Sequence, residues 1–129
     1  MKGPAMLVST ARISFALAVF GAVVSFMAWG AAAQAAELIV FERAKCVRCL
    51  VWEREIAPIY PKTDEGKRAP LRRVDLGAAR PADLTDISDV KYTPTFVLVE
   101  DGREVGRIVG YNGDEFFWAQ VDELLAHAP

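Results

Sequence analysis

Leu38-Ile39-Val40-Phe41-Glu42-Arg43-Ala44-Lys45-Cys46-Val47-Arg48-Cys49 is the stretch on which the fold is read. Four apolar residues in a row, without the alternation of a half-exposed strand, describe a central strand buried on both faces. A short turn follows, and then the only two cysteines of the chain open a helix. That helix is read over Arg48 to Ala57: Cys49, Trp52 and Ile56 recur at spacings of three and four, while Arg48, Glu53, Arg54 and Glu55 form the polar remainder. Two sulfurs at this spacing can close and open a disulfide across a first helical turn with little backbone movement. A cysteine at a helix start faces unpaired amides and the positive end of the helix dipole, which favours thiolate. Cys46 is therefore the expected nucleophile, and Cys49, one turn in, the more buried thiol that resolves a mixed disulfide.

Beyond this helix Pro58 and Pro61 break the periodicity, and Lys62-Thr63-Asp64-Glu65-Gly66-Lys67-Arg68 reads as a charged surface loop. Leu71 to Leu76 forms a second strand, and a weak helix is expected around Ala82 to Ile87, started near Pro81. Thr95 to Glu100 is β-branched and aromatic, Asp101-Gly102 is a hairpin turn, and Glu104 to Val109 returns as the antiparallel partner. Asp114 to Ala126 closes the chain as an amphipathic helix bearing Phe117, Val121, Leu124 and Leu125. The order βαβαββα implies an α/β domain: a parallel, right-handed βαβ unit extended by a hairpin into a mixed four-stranded sheet with helices on both faces.

The chain has 129 residues, 53% of them hydrophobic, but the apolar excess lies at the N-terminus. Lys2 and Arg12 mark a basic region, Ile13 to Trp29 is uncharged and apolar, and Ala33-Gln34-Ala35 offers the small residues that a signal peptidase cuts after. Residues 1–35 are expected to be a secretory signal peptide, and residues 36–129 one small domain. The competing reading keeps the seventeen residues from Ile13 to Trp29 as a membrane anchor, at the lower edge of spanning length. Residues 36–129 hold 13 basic and 17 acidic side chains with no basic stripe, which argues against nucleic acid as a partner.

The cysteine pair itself has three readings. Zinc needs four ligands, and the single histidine, His127, stands at the far end of the chain. A static disulfide across so short a loop would remove little entropy from the unfolded chain. Two-electron thiol chemistry is the reading that the position at a strand-to-helix turn favours, and it requires neither metal nor other cofactor.

A second motif, Tyr92-Thr93-Pro94-Thr95-Phe96, puts proline immediately before the strongest strand, and Gly110-Tyr111 follows the last one. Together with the C-x-x-C turn, in this order and spacing, these segments resemble the thioredoxin superfamily over nearly the whole of residues 36–129. The resemblance implies a cis Thr93-Pro94 bond beside the cysteines, and it implies Thr93 and Pro94 as substrate contacts that take up a partner's extended backbone. The lead-in Arg43-Ala44-Lys45 looks more like the glutaredoxin branch, since no tryptophan precedes Cys46 and no Gly-Pro lies between the cysteines. Trp52, Glu55-Ile56, Pro58-Ile59-Tyr60-Pro61-Lys62-Thr63 and Val109-Gly110-Tyr111 are similar to the SoxS group, periplasmic thioredoxins encoded with bacterial sulfur-oxidation genes. What that implies is reduction of a cysteine on the thiosulfate-carrying SoxYZ complex.

The family's buried acid beneath the second cysteine has no counterpart in Leu38-Ile39-Val40-Phe41; Glu42 is the nearest acid, and an exposed acid at a strand end is its plainer reading. Arg48 is a candidate modulator of the thiolate, worth about 1 kcal/mol at a partly exposed site. Trp52 reads as core. The expectation is an exported, monomeric protein-disulfide reductase that acts on a periplasmic protein and is recharged by a membrane electron donor. A disulfide-forming oxidant of the same fold and a redox-inert binding module are the alternatives that residues alone leave open.

Overall fold

Leu38, Ile39, Val40 and Phe41 are all buried because their strand, β1 (Glu37–Glu42), has neighbours on both edges and packing on both faces. The computed structural model describes Gly3 and residues 36–128, so the expected signal segment lies outside the described residues but for Gly3. β1 pairs in parallel with β2 (Leu71–Asp75) and antiparallel with β3 (Thr95–Glu100), which turns through Asp101 and Gly102 into β4 (Arg103–Val109). Both turn residues have positive φ, 50° and 74°, as a tight hairpin turn requires. The sheet order is β2-β1-β3-β4.

The period of two sends Leu38 and Val40 to one face and Ile39 and Phe41 to the other. On the first face lie α1 (Val47–Glu55) and α3 (Asp114–His127), which bring Trp52, Ile56, Phe117, Val121 and Leu125 against Phe96, Leu98 and Ile108. Phe117 sits at the centre of the aromatic packing, with ring centroids 5.0 Å from Phe96, 6.1 Å from Tyr111, 6.3 Å from Tyr60 and 6.4 Å from Trp52. Trp52 is fully buried, as its spacing predicts.

Two elements differ from the sequence reading. The second face carries no α-helix among the described residues: the segment after Pro81 makes only a 3-10 turn, Ala82–Leu84, and drops Leu84 and Ile87 onto Ile39, Phe41, Val74, Val97 and Val99. With two apolar side chains to bury, the Thr85 hydroxyl bonded back to the Ala82 carbonyl at 3.1 Å and the Asp83 carboxylate drawn to Arg72, a longer helix has little to hold it. Conversely, the charged loop folds into a 3-10 turn, Tyr60–Lys62, and a short helix, α2 (Asp64–Arg68). Thr63 caps α2 by accepting the Gly66 amide at 3.1 Å, with Asp64 and Glu65 at the positive end of the helix and Lys67 and Arg68 at the negative end.

Candidate active site

Cys46 is the N-cap of α1, and its sulfur accepts the Cys49 amide at 3.2 Å. The two cysteines form a disulfide, with Cα atoms 5.2 Å apart. Cys46 is partly exposed whereas Cys49 is 6% exposed, so an incoming sulfur has access to Cys46. That amide and the open end of the helix have the polarity that favours negative charge on a sulfur at this position.

The tertiary fold delivers the second motif to this sulfur. The Thr93-Pro94 peptide is cis, and the Thr93 carbonyl lies 3.4 Å from Cys46 Sγ. In the disulfide that sulfur carries no proton, so this is a polar contact; in the dithiol Cys46 can donate to the carbonyl. Thr95 Oγ1 donates to the Tyr92 carbonyl at 2.7 Å, and the Gly110 amide donates to the Pro94 carbonyl at 2.7 Å, which seats the loop against the end of β4. Gly110 has φ 84°, the left-handed setting that glycine adopts at least cost.

Arg48 is placed on the opposite flank. Its Nη1 donates to the Tyr111 carbonyl at 2.8 Å, and the Tyr111 hydroxyl donates to Glu55 Oε2 at 2.5 Å, so the pair of contacts straps α1 to the chain after β4. Burial, and then Glu55, push the Tyr111 phenol above its ordinary range, which keeps it a donor.

Beside Cys49 the wall of a cavity carries a charge network that sequence reading missed. Arg73 of β2 lies 3.7 Å from Glu42 Oε2, pairs with Glu53 of α1, and holds its guanidinium 5.5 Å from the centre of the Trp52 ring. Burial raises the Glu42 carboxyl pKa above 4.5, an effect opposed by Arg73 and reinforced by Glu53 and Asp75. No local pattern signals this network, because parallel pairing of β1 with β2 is what brings Arg73 level with Val40. On the same cavity Lys45 has φ 64°, a conformation that costs a side-chain-bearing residue about 1–2 kcal/mol.

No protein-family model and no curated protein matches the chain. Among solved structures, the periplasmic thioredoxin SoxS of Paracoccus pantotrophus, in its reduced form, is 41% identical, with a TM-score of 0.70 over 73% of this chain and 99% of that one. The chain belongs to the thioredoxin superfamily. Two further thioredoxins share the fold at 20% identity: that of Malassezia sympodialis, TM-score 0.54 over 74% of this chain and 78% of that one, and mitochondrial thioredoxin 3 of Saccharomyces cerevisiae, TM-score 0.55 over 70% and 79%. As a thioredoxin with an intact C-x-x-C pair at the head of α1, the protein is a thiol-disulfide oxidoreductase. Among the described residues no helix is long and apolar enough to cross a membrane.

Proposed function

We propose that this thioredoxin is an exported reductant that opens a disulfide on a specific periplasmic protein, with a SoxYZ-like sulfur carrier as the partner. The observation that carries the reading is the asymmetry of the pair: accessible Cys46 between the Cys49 amide and the Thr93 carbonyl, with Cys49 buried behind it. The likeness to a periplasmic SoxS supports the compartment and the partner class. The Cys46 thiolate attacks one sulfur of the partner's disulfide, a Cys46-partner bond forms, and the other partner sulfur leaves and takes a proton. Cys49 then attacks Cys46 Sγ, which expels the second partner thiol and closes the Cys46-Cys49 disulfide. Two electrons have passed to the partner, and a membrane electron carrier restores the dithiol. Thr93 and Pro94 stand immediately before Thr95, the first paired residue of β3, and offer the Thr93 backbone to an extended partner segment. Arg48 acts on the site by holding α1 in place.

The assignment is tested with single cysteine variants in periplasmic extract. Cys49→Ser should accumulate a mixed disulfide with the partner, visible on a non-reducing gel, and Cys46→Ser should accumulate none; the reverse pattern exchanges the two roles. In the trapped complex the Thr93 amide should be protected from hydrogen exchange. A reductant should show a reduction potential near that of thioredoxin, about −270 mV, and a value near −120 mV would make the protein an oxidant instead. Mass spectrometry of the exported protein should find an N-terminus within a few residues of Ala36.

A further inference from the structure

Lys45 occupies the third position of the turn that the Cys46 amide closes on the Arg43 carbonyl, with φ 64°. Glycine or asparagine is the low-cost residue there. A long cationic side chain kept in that setting, one residue before the nucleophile, implies a use that compensates the backbone. Lys45 and Arg43 are exposed and line the cavity that reaches Cys46 and Cys49. The acids of this cavity are engaged: Glu42 and Glu53 flank Arg73, and Asp75 accepts the Gly77 amide at 2.7 Å. Among the described residues neither Arg43 nor Lys45 makes an ion pair, and the hydrogen bond of Arg48 goes to an uncharged carbonyl. Three cations without a carboxylate partner therefore lie within three residues of Cys46, in a domain with 13 basic against 17 acidic side chains. Cations this close to the reacting sulfur attract an anionic group presented to it, even in a domain of net negative charge.

We propose that Lys45, seconded by Arg43, is a specificity-determining residue that selects disulfides bearing an anionic group beside the attacked sulfur, as in a cystine flanked by acidic residues. The inference rests on Cys46 being the attacking thiol. Cys46→Ser losing exchange with all small disulfides establishes that premise independently; exchange retained in that variant removes the premise and the inference with it.

The test uses the reduced purified protein and three aliphatic disulfides: dianionic dithiodiglycolate, neutral hydroxyethyl disulfide and dicationic cystamine. Second-order rate constants are compared as ratios to the neutral compound, so that any change in Cys46 reactivity cancels. In Lys45→Gly the dithiodiglycolate ratio should fall about three-fold and the cystamine ratio rise by about as much; Lys45→Glu should move each by about ten-fold. The parent's ratios should converge toward those of Lys45→Gly at about 1 M salt, where the screening length is roughly 3 Å. Lys45→Gly should melt no lower than the parent, and Lys45→Asn, which also tolerates the left-handed setting, should repeat the kinetic result. Rates that change equally for all three disulfides, or ratios insensitive to Lys45, overturn the proposal.

Discussion

Glu42 shows at the scale of one residue how burial and a neighbouring cation compete over one carboxyl. Its carboxyl is held above the ordinary 4.5 chiefly by burial, with Arg73 pulling the other way. A group with a raised native pKa keeps its proton longer in the folded than in the unfolded chain, so stability declines as pH rises past 4.5 until the native carboxyl has also ionised. Glu42→Gln stays neutral throughout, and its melting temperature relative to the parent should therefore climb between about pH 4 and about pH 7. A difference that stays constant over that range would show that burial does not dominate. At this scale Cys46 and Cys49 were legible because their chemistry depends on a spacing of three within one helix turn. The partner of Arg48 was not, since the Tyr111 carbonyl is sixty-three residues away.

The elements that carry these residues were legible in proportion to their length. β1, β3 and α3 declare themselves by runs or periods, whereas α2 has five residues, too few for a period, and announces itself only through Thr63 as cap and the order of its charges. Gly66 in α2 would place a Cβ 1.9 Å from the Tyr60 carbonyl oxygen, which is backbone and cannot step aside. Gly66→Ala, normally favourable within a helix, should here cost at least about 2 kcal/mol and lower the melting temperature by about 10 °C. No change in melting temperature would mean that α2 is free to move off Tyr60. The irregular segment before Thr93 is held by side chains in place of a helix. Arg80 donates to the Ile87 carbonyl and Arg107 to that of Ser88 at 3.1 Å. Arg107→Gln should speed amide exchange over residues 89–92 about ten-fold while leaving β1 protected, as a local opening does. Equal loosening of the sheet would make Arg107 a global support instead.

Across the whole molecule, one aromatic ring couples catalytic helix, sheet and C-terminal helix: Phe117 touches Trp52, Phe96, Tyr60 and Tyr111. Phe117→Ala should cost about 3–5 kcal/mol, a fall in melting temperature of about 15 °C or more, and should weaken the seat of α1 along with stability. A loss below about 1 kcal/mol would show that the rings close up around the gap. By itself the sequence determined what depends on neighbours along the chain: the buried strand, the dithiol at a helix start, the hairpin, and the order of motifs that marks the superfamily. Only the tertiary structure decided which groups stand around Cys46 and Cys49. Thr93 reaches the site through the antiparallel pairing of β3 with β1, Gly110 and Tyr111 through the return of β4, and Arg73 through the parallel pairing of β2 with β1. The physical reason is that patterns of burial and propensity act over a few residues, while the contacts that shape a reacting sulfur are set by how strands align after long excursions of the chain.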